Sequence, residues 1–164
     1  MDQLWTPWRY RYVADPTKDD RCVFCEALGQ KDDARTLILL RAARNFVILN
    51  RFPYTTGHVM IVPCAHVPDL IACDSETLAE MMQIAQRVQQ AMASVYRPEG
   101  FNLGMNLGRC AGAGVAGHLH LHILPRWSGD TNFITVTAET RVQPEDLATT
   151  YRRLRQALTA EPGE

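Results

Sequence analysis

Gly117–His118–Leu119–His120–Leu121–His122–Ile123–Leu124–Pro125 places a histidine at every second position of an otherwise apolar run. Side chains of an extended chain alternate between two faces, so the three imidazoles share one face at a spacing of about 7 Å. Leu119, Leu121 and Ile123 take the opposite face and can pack on a core. A glycine-rich stretch, Gly104 to Gly117, leads into this segment. Glycine allows backbone N–H groups to approach a ligand closely and to adopt positive φ, and such backbone nests bind anions. Imidazoles beside a phosphate cradle fit two chemistries. One is metal ligation, since neutral imidazole binds zinc. The other is nucleophilic and acid–base work on a phosphate, since imidazole titrates near neutral pH. A single histidine would fit a satisfied core residue. Three on one face behind a glycine loop point to a site.

The remaining chain reads outward from this segment. Thr36–Leu40, Phe46–Leu49 and His58–Val62 have the composition of strands, the last ended by Pro63. Phe101–Asn106 reads as a fourth strand and His118–Leu124 as a fifth. Asn132–Thr137 either extends the sheet or forms a flap. Ser75–Tyr96 has apolar residues at helical spacing behind Asp74 or Ser75 as N-cap. Pro144–Leu158 reads as a second helix, and a short helical stretch reaches about Gly29. Strands in runs with a long intervening helix indicate an α+β fold with an antiparallel sheet. Residues 1–21, with Trp5, Trp8, Tyr10 and Tyr12, lack periodicity and read as an aromatic arm; residues 22–160 read as a single domain.

Composition narrows the class. The 164 residues suffice for one domain with a real core, and 46% apolar and 21% charged residues are ordinary globular usage. A net charge of −1 gives no general attraction to nucleic acid or to a membrane surface, so neither is expected as a partner. No apolar run is long enough to span a bilayer. The N-terminus has no signal-peptide pattern. Five cysteines without framework spacing indicate a reducing, cytoplasmic setting. Cys22 and Cys25 form a Cys-x-x-Cys knuckle, which suits either metal ligation or redox chemistry.

The chain resembles the histidine-triad (HIT) superfamily of nucleotidyl hydrolases and transferases. His118–Leu124 matches the family's alternating triad at every position. Phe46–Arg51 and Thr56–Pro63 resemble the family's nucleotide-pocket strands. Pro125–Trp127, Gly129–Phe133 and Leu4–Arg9 resemble segments of a bacterial branch that cleaves diadenosine polyphosphates. The resemblance implies a five-stranded antiparallel sheet with two helices and a homodimer. It implies that His120 is a nucleophile that attacks the α-phosphorus and forms a nucleotidyl-histidine, with His122 hydrogen-bonded near the scissile phosphate. It also implies that Asn50 binds the ribose, and that Asn106 and the Gly114–Val115 backbone contact phosphate. His58 is read as structural support near the site.

Some relatives in this superfamily bind zinc through a Cys-x-x-Cys pair, a histidine after the third strand and the first triad histidine. The resemblance carries these positions to Cys22, Cys25, His66 and His118, and so implies one structural zinc per chain and no organic cofactor. A full ligand set leaves no open position, so that metal would not activate water.

The acceptor is where the resemblance departs. Gly114 stands where diadenosine-triphosphate hydrolases commonly carry glutamine, and where the corresponding phosphorylase loop reads closer to Gly–Gly–Ser. The missing hydroxyl favours water as acceptor in the cleavage of diadenosine tri- or tetraphosphate. The alternatives are phosphorolysis with inorganic phosphate, an AMP-phosphoramidase, a nucleotide-binding regulatory module without turnover, and a zinc-stabilised interaction domain.

Overall fold

The computed structural model describes residues 21–130 and 145–160. The expected arm at 1–21 (Arg21 excepted), the segment Asn132–Thr137 and the tail after residue 160 lie outside the described residues. Element order is α1 (Val23–Gly29), α2 (Asp33–Thr36), β1 (Ile38–Arg41), β2 (Asn45–Leu49), β3 (Val59–Pro63), α3 (Ser75–Tyr96), β4 (Gly100–Gly104), a 3-10 turn at Arg109–Ala111, β5 (Leu121–Arg126) and α4 (Leu147–Thr159). The strands form one sheet in the order β1-β2-β3-β5-β4, with every neighbouring pair antiparallel.

β2 and β3 are buried along their whole length, because the sheet is covered on both faces. Val47, Leu49, Val59 and Ile61 join residues of α3 and α4 in the larger core. Phe46, Ile48, Met60 and Val62 take the other face and pack against Phe24 and Ala27 of α1. The two long helices start in the same way. Asp74 accepts from Thr77 N–H at 2.8 Å and from its hydroxyl at 2.7 Å; Asp146 accepts from Thr149 N–H at 2.8 Å and from its hydroxyl at 3.0 Å. Each cap satisfies a helix-end donor and is worth about 1 kcal/mol. Asn45, fully buried in β2, donates its amide to the Thr77 carbonyl at 3.0 Å and to Glu80 at 2.8 Å, which ties the sheet to α3.

Several boundaries differ from the sequence reading. Thr36 ends a helical turn rather than opening a strand, and Leu37 adopts left-handed φ (67°) before β1 starts at Ile38. Asp32 caps that turn by accepting from Arg35 N–H, and a four-residue helix shows no periodicity to read. β4 stops at Gly104, so Asn106 lies in the loop. α4 begins at Leu147, because Asp146 acts as its N-cap. β5 begins at Leu121, so His118 and His120 precede the paired strand. There the Leu119 N–H bonds to the Val67 carbonyl at 2.7 Å instead of to a sheet neighbour. Pro125 lies beyond Ile123, the last residue of β5 in register with β3.

Candidate active site and metal centre

The face on which the imidazoles lie follows from register. His122 pairs with Met60, whereas Leu121 and Ile123 pair with Ile61 and Val59. His122 therefore projects on the α1 side of the sheet, and Leu121 and Ile123 on the side of the long helices. Leu119, Leu121 and Ile123 belong to the larger core, as the alternation requires. His118, His120 and His122 are 1%, 5% and 8% exposed. Phe24 packs against two of them, with ring centroids 5.4 Å from His118 and 5.1 Å from His120. Phe24 was not legible as a site residue. The signal was its place inside the Cys22–Cys25 knuckle.

Backbone partners settle the tautomers. His118 Nε2 lies 2.9 Å from the Pro63 carbonyl, which only accepts, so Nε2 donates and Nδ1 keeps a lone pair. His120 Nδ1 lies 2.8 Å from the His118 carbonyl, so Nδ1 donates and Nε2 keeps the lone pair. Tyr54 N–H donates to His58 Nδ1 at 3.1 Å, so the proton of neutral His58 sits on Nε2. That Nε2 lies 2.8 Å from His122 Nδ1, so His58 donates and neutral His122 carries its proton on Nε2. The arrangement is an unprotonated Nε2 on His120 beside an Nε2–H on His122, their ring centroids 4.8 Å apart.

Burial is the main cause that keeps these rings neutral. It lowers His120, pushes His122 down to about 4 and, with the two neighbouring imidazoles, pushes His58 down to about 3. A neutral imidazole retains the lone pair that a nucleophile needs at neutral pH.

Asn50 borders this cluster. Its Nδ2 lies 3.4 Å from His58 Nδ1, and its Oδ1 accepts from Phe52 N–H at 2.9 Å. Asn106 lies two residues beyond Gly104, the residue in register with His122, and is half-buried. Gly114 is exposed in the same loop, and Val115 packs against the α1-side core. Positive φ in this loop falls at Gly108 and Gly112, where side chains are disfavoured.

Cys22, Cys25, His66 and His118 converge beside His120. Their four ligand atoms all lie within 4.8 Å of one another. Cys22 Sγ is 3.2 Å and Cys25 Sγ 3.6 Å from His118 Nδ1, and Cys25 Sγ is 3.3 Å from His66 Nδ1. A tetrahedral zinc with bonds of about 2.0–2.3 Å places its ligands about 3.3–3.8 Å apart, close to this set. The His118 nitrogen that faces the sulfurs is the one left free by its bond to Pro63, the kind of backing by which ligating histidines are oriented. The donor set and its support fit zinc.

With this geometry in hand, likeness to known proteins becomes informative. The family model described as HIT domain matches residues 31–129. The chain is 38% identical over 170 aligned residues to an "AP-4-A phosphorylase" of Mycobacterium tuberculosis, covering 99% of this chain and 87% of that protein. The crystal structure of a zinc-bound histidine triad family protein from Mycobacterium smegmatis superimposes with a TM-score of 0.67 at 31% identity, covering 84% of this chain and 92% of that one. The crystal structure of a hypothetical histidine triad nucleotide-binding protein from Sulfolobus tokodaii gives a TM-score of 0.67 at 27% identity, covering 84% of this chain and 91% of that one.

Proposed function

The chain belongs to the HIT domain family, and from that premise we propose that it cleaves dinucleoside polyphosphates at an α-phosphate by nucleotidyl transfer through His120. The observation that carries this reading is the His120–His118 hydrogen bond, which leaves the buried His120 Nε2 as a lone-pair donor. Nε2 attacks the α-phosphorus, an N–P bond forms and the P–O bond to the rest of the polyphosphate breaks. His122 Nε2–H donates to a phosphoryl oxygen at that position. A second acceptor then attacks the same phosphorus and releases His120. Division into two displacements lowers each barrier, and the N–H groups of the glycine loop, with Gly114 and Val115, stabilise the equatorial oxygens. Asn50 binds the ribose and Asn106 the phosphate.

Inorganic phosphate is the acceptor that the likeness to the AP-4-A phosphorylase favours. Water is the second reading, favoured by Gly114, which offers no hydroxyl. Anion-exchange analysis of diadenosine tetraphosphate digests separates them. ADP plus ATP formed only with added phosphate identifies a phosphorylase, and AMP plus ATP in phosphate-free buffer a hydrolase. Absence of both removes the reading. His120→Ala protein must also fail to acquire label from nucleotide marked at the α-phosphate.

The same reading includes one structural zinc on Cys22, Cys25, His66 and His118, with no role in activating water. It also includes a homodimer. β4 is an edge strand, and its Leu103 and the nearby Leu107 are 39% and 40% exposed, which suits pairing with a second copy. No helix among the described residues is long and apolar enough to cross a membrane.

A further inference from the structure

The reaction proposed above needs His122 as an Nε2–H donor, and that in turn needs His58 within bonding distance of it. We propose that Tyr96, the last residue of α3, is a positioning residue for the His58–His122 pair, because it holds the turn at Gly57 and the end of β5 in one fixed relation. The inference rests on the triad reading above and deepens it.

Contact comes first. Gly57, the residue before His58, adopts positive φ (79°). A Cβ added there would lie 3.3 Å from Cε2 of the Tyr96 ring and 3.2 Å from Cγ of Pro125. The turn that presents His58 is therefore closed against both the Tyr96 ring and β5, in a conformation that glycine adopts freely. Trp127, one residue past β5, meets the same tyrosine. Their rings form a T with centroids 6.4 Å apart, and the indole N–H donates to the Tyr96 carbonyl at 3.4 Å. Tyr96 thus touches the flanks of both hydrogen-bonding partners: the residue before His58 and the segment that follows His122. Hydrogen bonds weaken steeply once stretched, so a shift of about 1 Å in either flank would release His122 from the present 2.8 Å bond.

What fixes the ring is the second observation. The Tyr96 hydroxyl donates to Glu145 Oε2 at 2.6 Å. Burial, and after it this bond, pushes the phenol up, so it remains a donor. The same carboxylate accepts from the Thr150 hydroxyl at 2.8 Å and from Arg153 at 2.5 Å. The Arg153 guanidinium also lies 4.8 Å from the centroid of the Tyr96 ring and donates to the Val95 carbonyl at 2.9 Å. Tyr96 is half-buried and packs against the larger core. A ring held at its hydroxyl, covered by a cation and packed at its edge against Gly57 cannot turn without breaking these contacts together. Glu145 therefore locks the ring, and the ring holds the turn.

The test uses two variants. Tyr96→Leu removes the ring, and Tyr96→Phe removes only the hydroxyl. With diadenosine tetraphosphate, kcat should fall about 30-fold in the first and about threefold in the second, with KM within about twofold of wild type in both. Long-range proton–nitrogen NMR spectra of the imidazoles give a second reading that needs no substrate. His122 should be Nε2–H in wild type and a mixture of tautomers in Tyr96→Leu, while His118, bonded to the Pro63 carbonyl, stays Nε2–H. A contact that only stabilises the fold would lower Tm and leave the His122 tautomer and the kcat of folded protein unchanged. That result would overturn the proposal, and so would a loss confined to KM. If Tyr96→Leu does not fold, Tyr96→Phe decides alone, and wild-type kcat with a wild-type His122 spectrum would overturn it. A wild type that cleaves no dinucleoside polyphosphate would remove the reaction proposed above, and the His122 spectra would still decide whether Tyr96 positions the pair.

Discussion

His58 Nε2 lies 2.8 Å from Nδ1 of His122, although the two residues are 64 positions apart. Both rings are buried, and the Tyr54 backbone N–H occupies the other nitrogen of His58. His58 thereby holds neutral His122 as an Nε2–H donor. His58→Ala should lower kcat by about 10- to 100-fold with little change in KM, because His122 loses its tautomer while the nucleotide pocket stays. His58→Asn, which can restore a donor, should recover part of the rate. Loss confined to KM would assign His58 to substrate binding instead.

The buried imidazoles make the fold sensitive to acid. Unfolded histidine titrates at about 6.5, whereas His122 is lowered to about 4 and His58 to about 3. As pH falls below about 6.5, the unfolded chain takes up protons that the folded chain refuses. Stability is therefore full above about pH 6.5 and declines down to about pH 3, with about 3 kcal/mol attributable to His122. Urea midpoints on metal-depleted protein, which excludes acid release of zinc, should fall across this range. A flat profile between about pH 7 and pH 5 would contradict neutral burial.

Zinc should be recovered at about one per chain from protein purified without chelator. Cys22→Ser or Cys25→Ser should abolish that content and lower Tm by about 10 °C. Because His118 supplies both a ligand nitrogen and the carbonyl that orients His120, turnover should fall as well. Full zinc content in the double serine variant would refute the ligand assignment.

Leu119, between the first two triad histidines, is 2% exposed and belongs to the larger core. Leu119→Ala should cost about 2–5 kcal/mol. Ile71, at 96% exposed, provides the contrast, and Ile71→Ser should stay within about 0.5 kcal/mol of wild type. Equal effects in chemical denaturation would mean that the imidazole segment does not use its apolar face as an anchor.

The edge strand β4 gives a further expectation. On the proposed pairing through β4, wild type should sediment as a dimer and Leu103→Lys as a monomer, because the lysine places a charge on an exposed apolar edge position. A dimer of unchanged stability would locate the contact elsewhere.

Much of this was legible along the chain, and the reason is local. Alternation between faces is a property of the extended backbone, so the sequence His118 to Ile123 by itself separates an imidazole face from a core face. Asp74 before Ser75 marks one helix start in the sequence, because a cap reaches only the next turn; the start of the last helix, read at Pro144, lies instead at Leu147, where Asp146 caps it. The four-residue helix before β1 escaped such reading because one turn has no period. Tertiary structure decided the rest. Cys22 and Cys25 reach His118 across more than ninety residues, and Phe24 comes with them. The register of Met60 with His122 chose which side of the sheet carries the imidazoles. A tautomer depends on which group lies within bonding distance of the opposite ring nitrogen, and Pro63, Tyr54 and His58 arrive there only when the strands pair. The alternation of three histidines is written in the chain; which nitrogen of each one carries the proton is set by the fold.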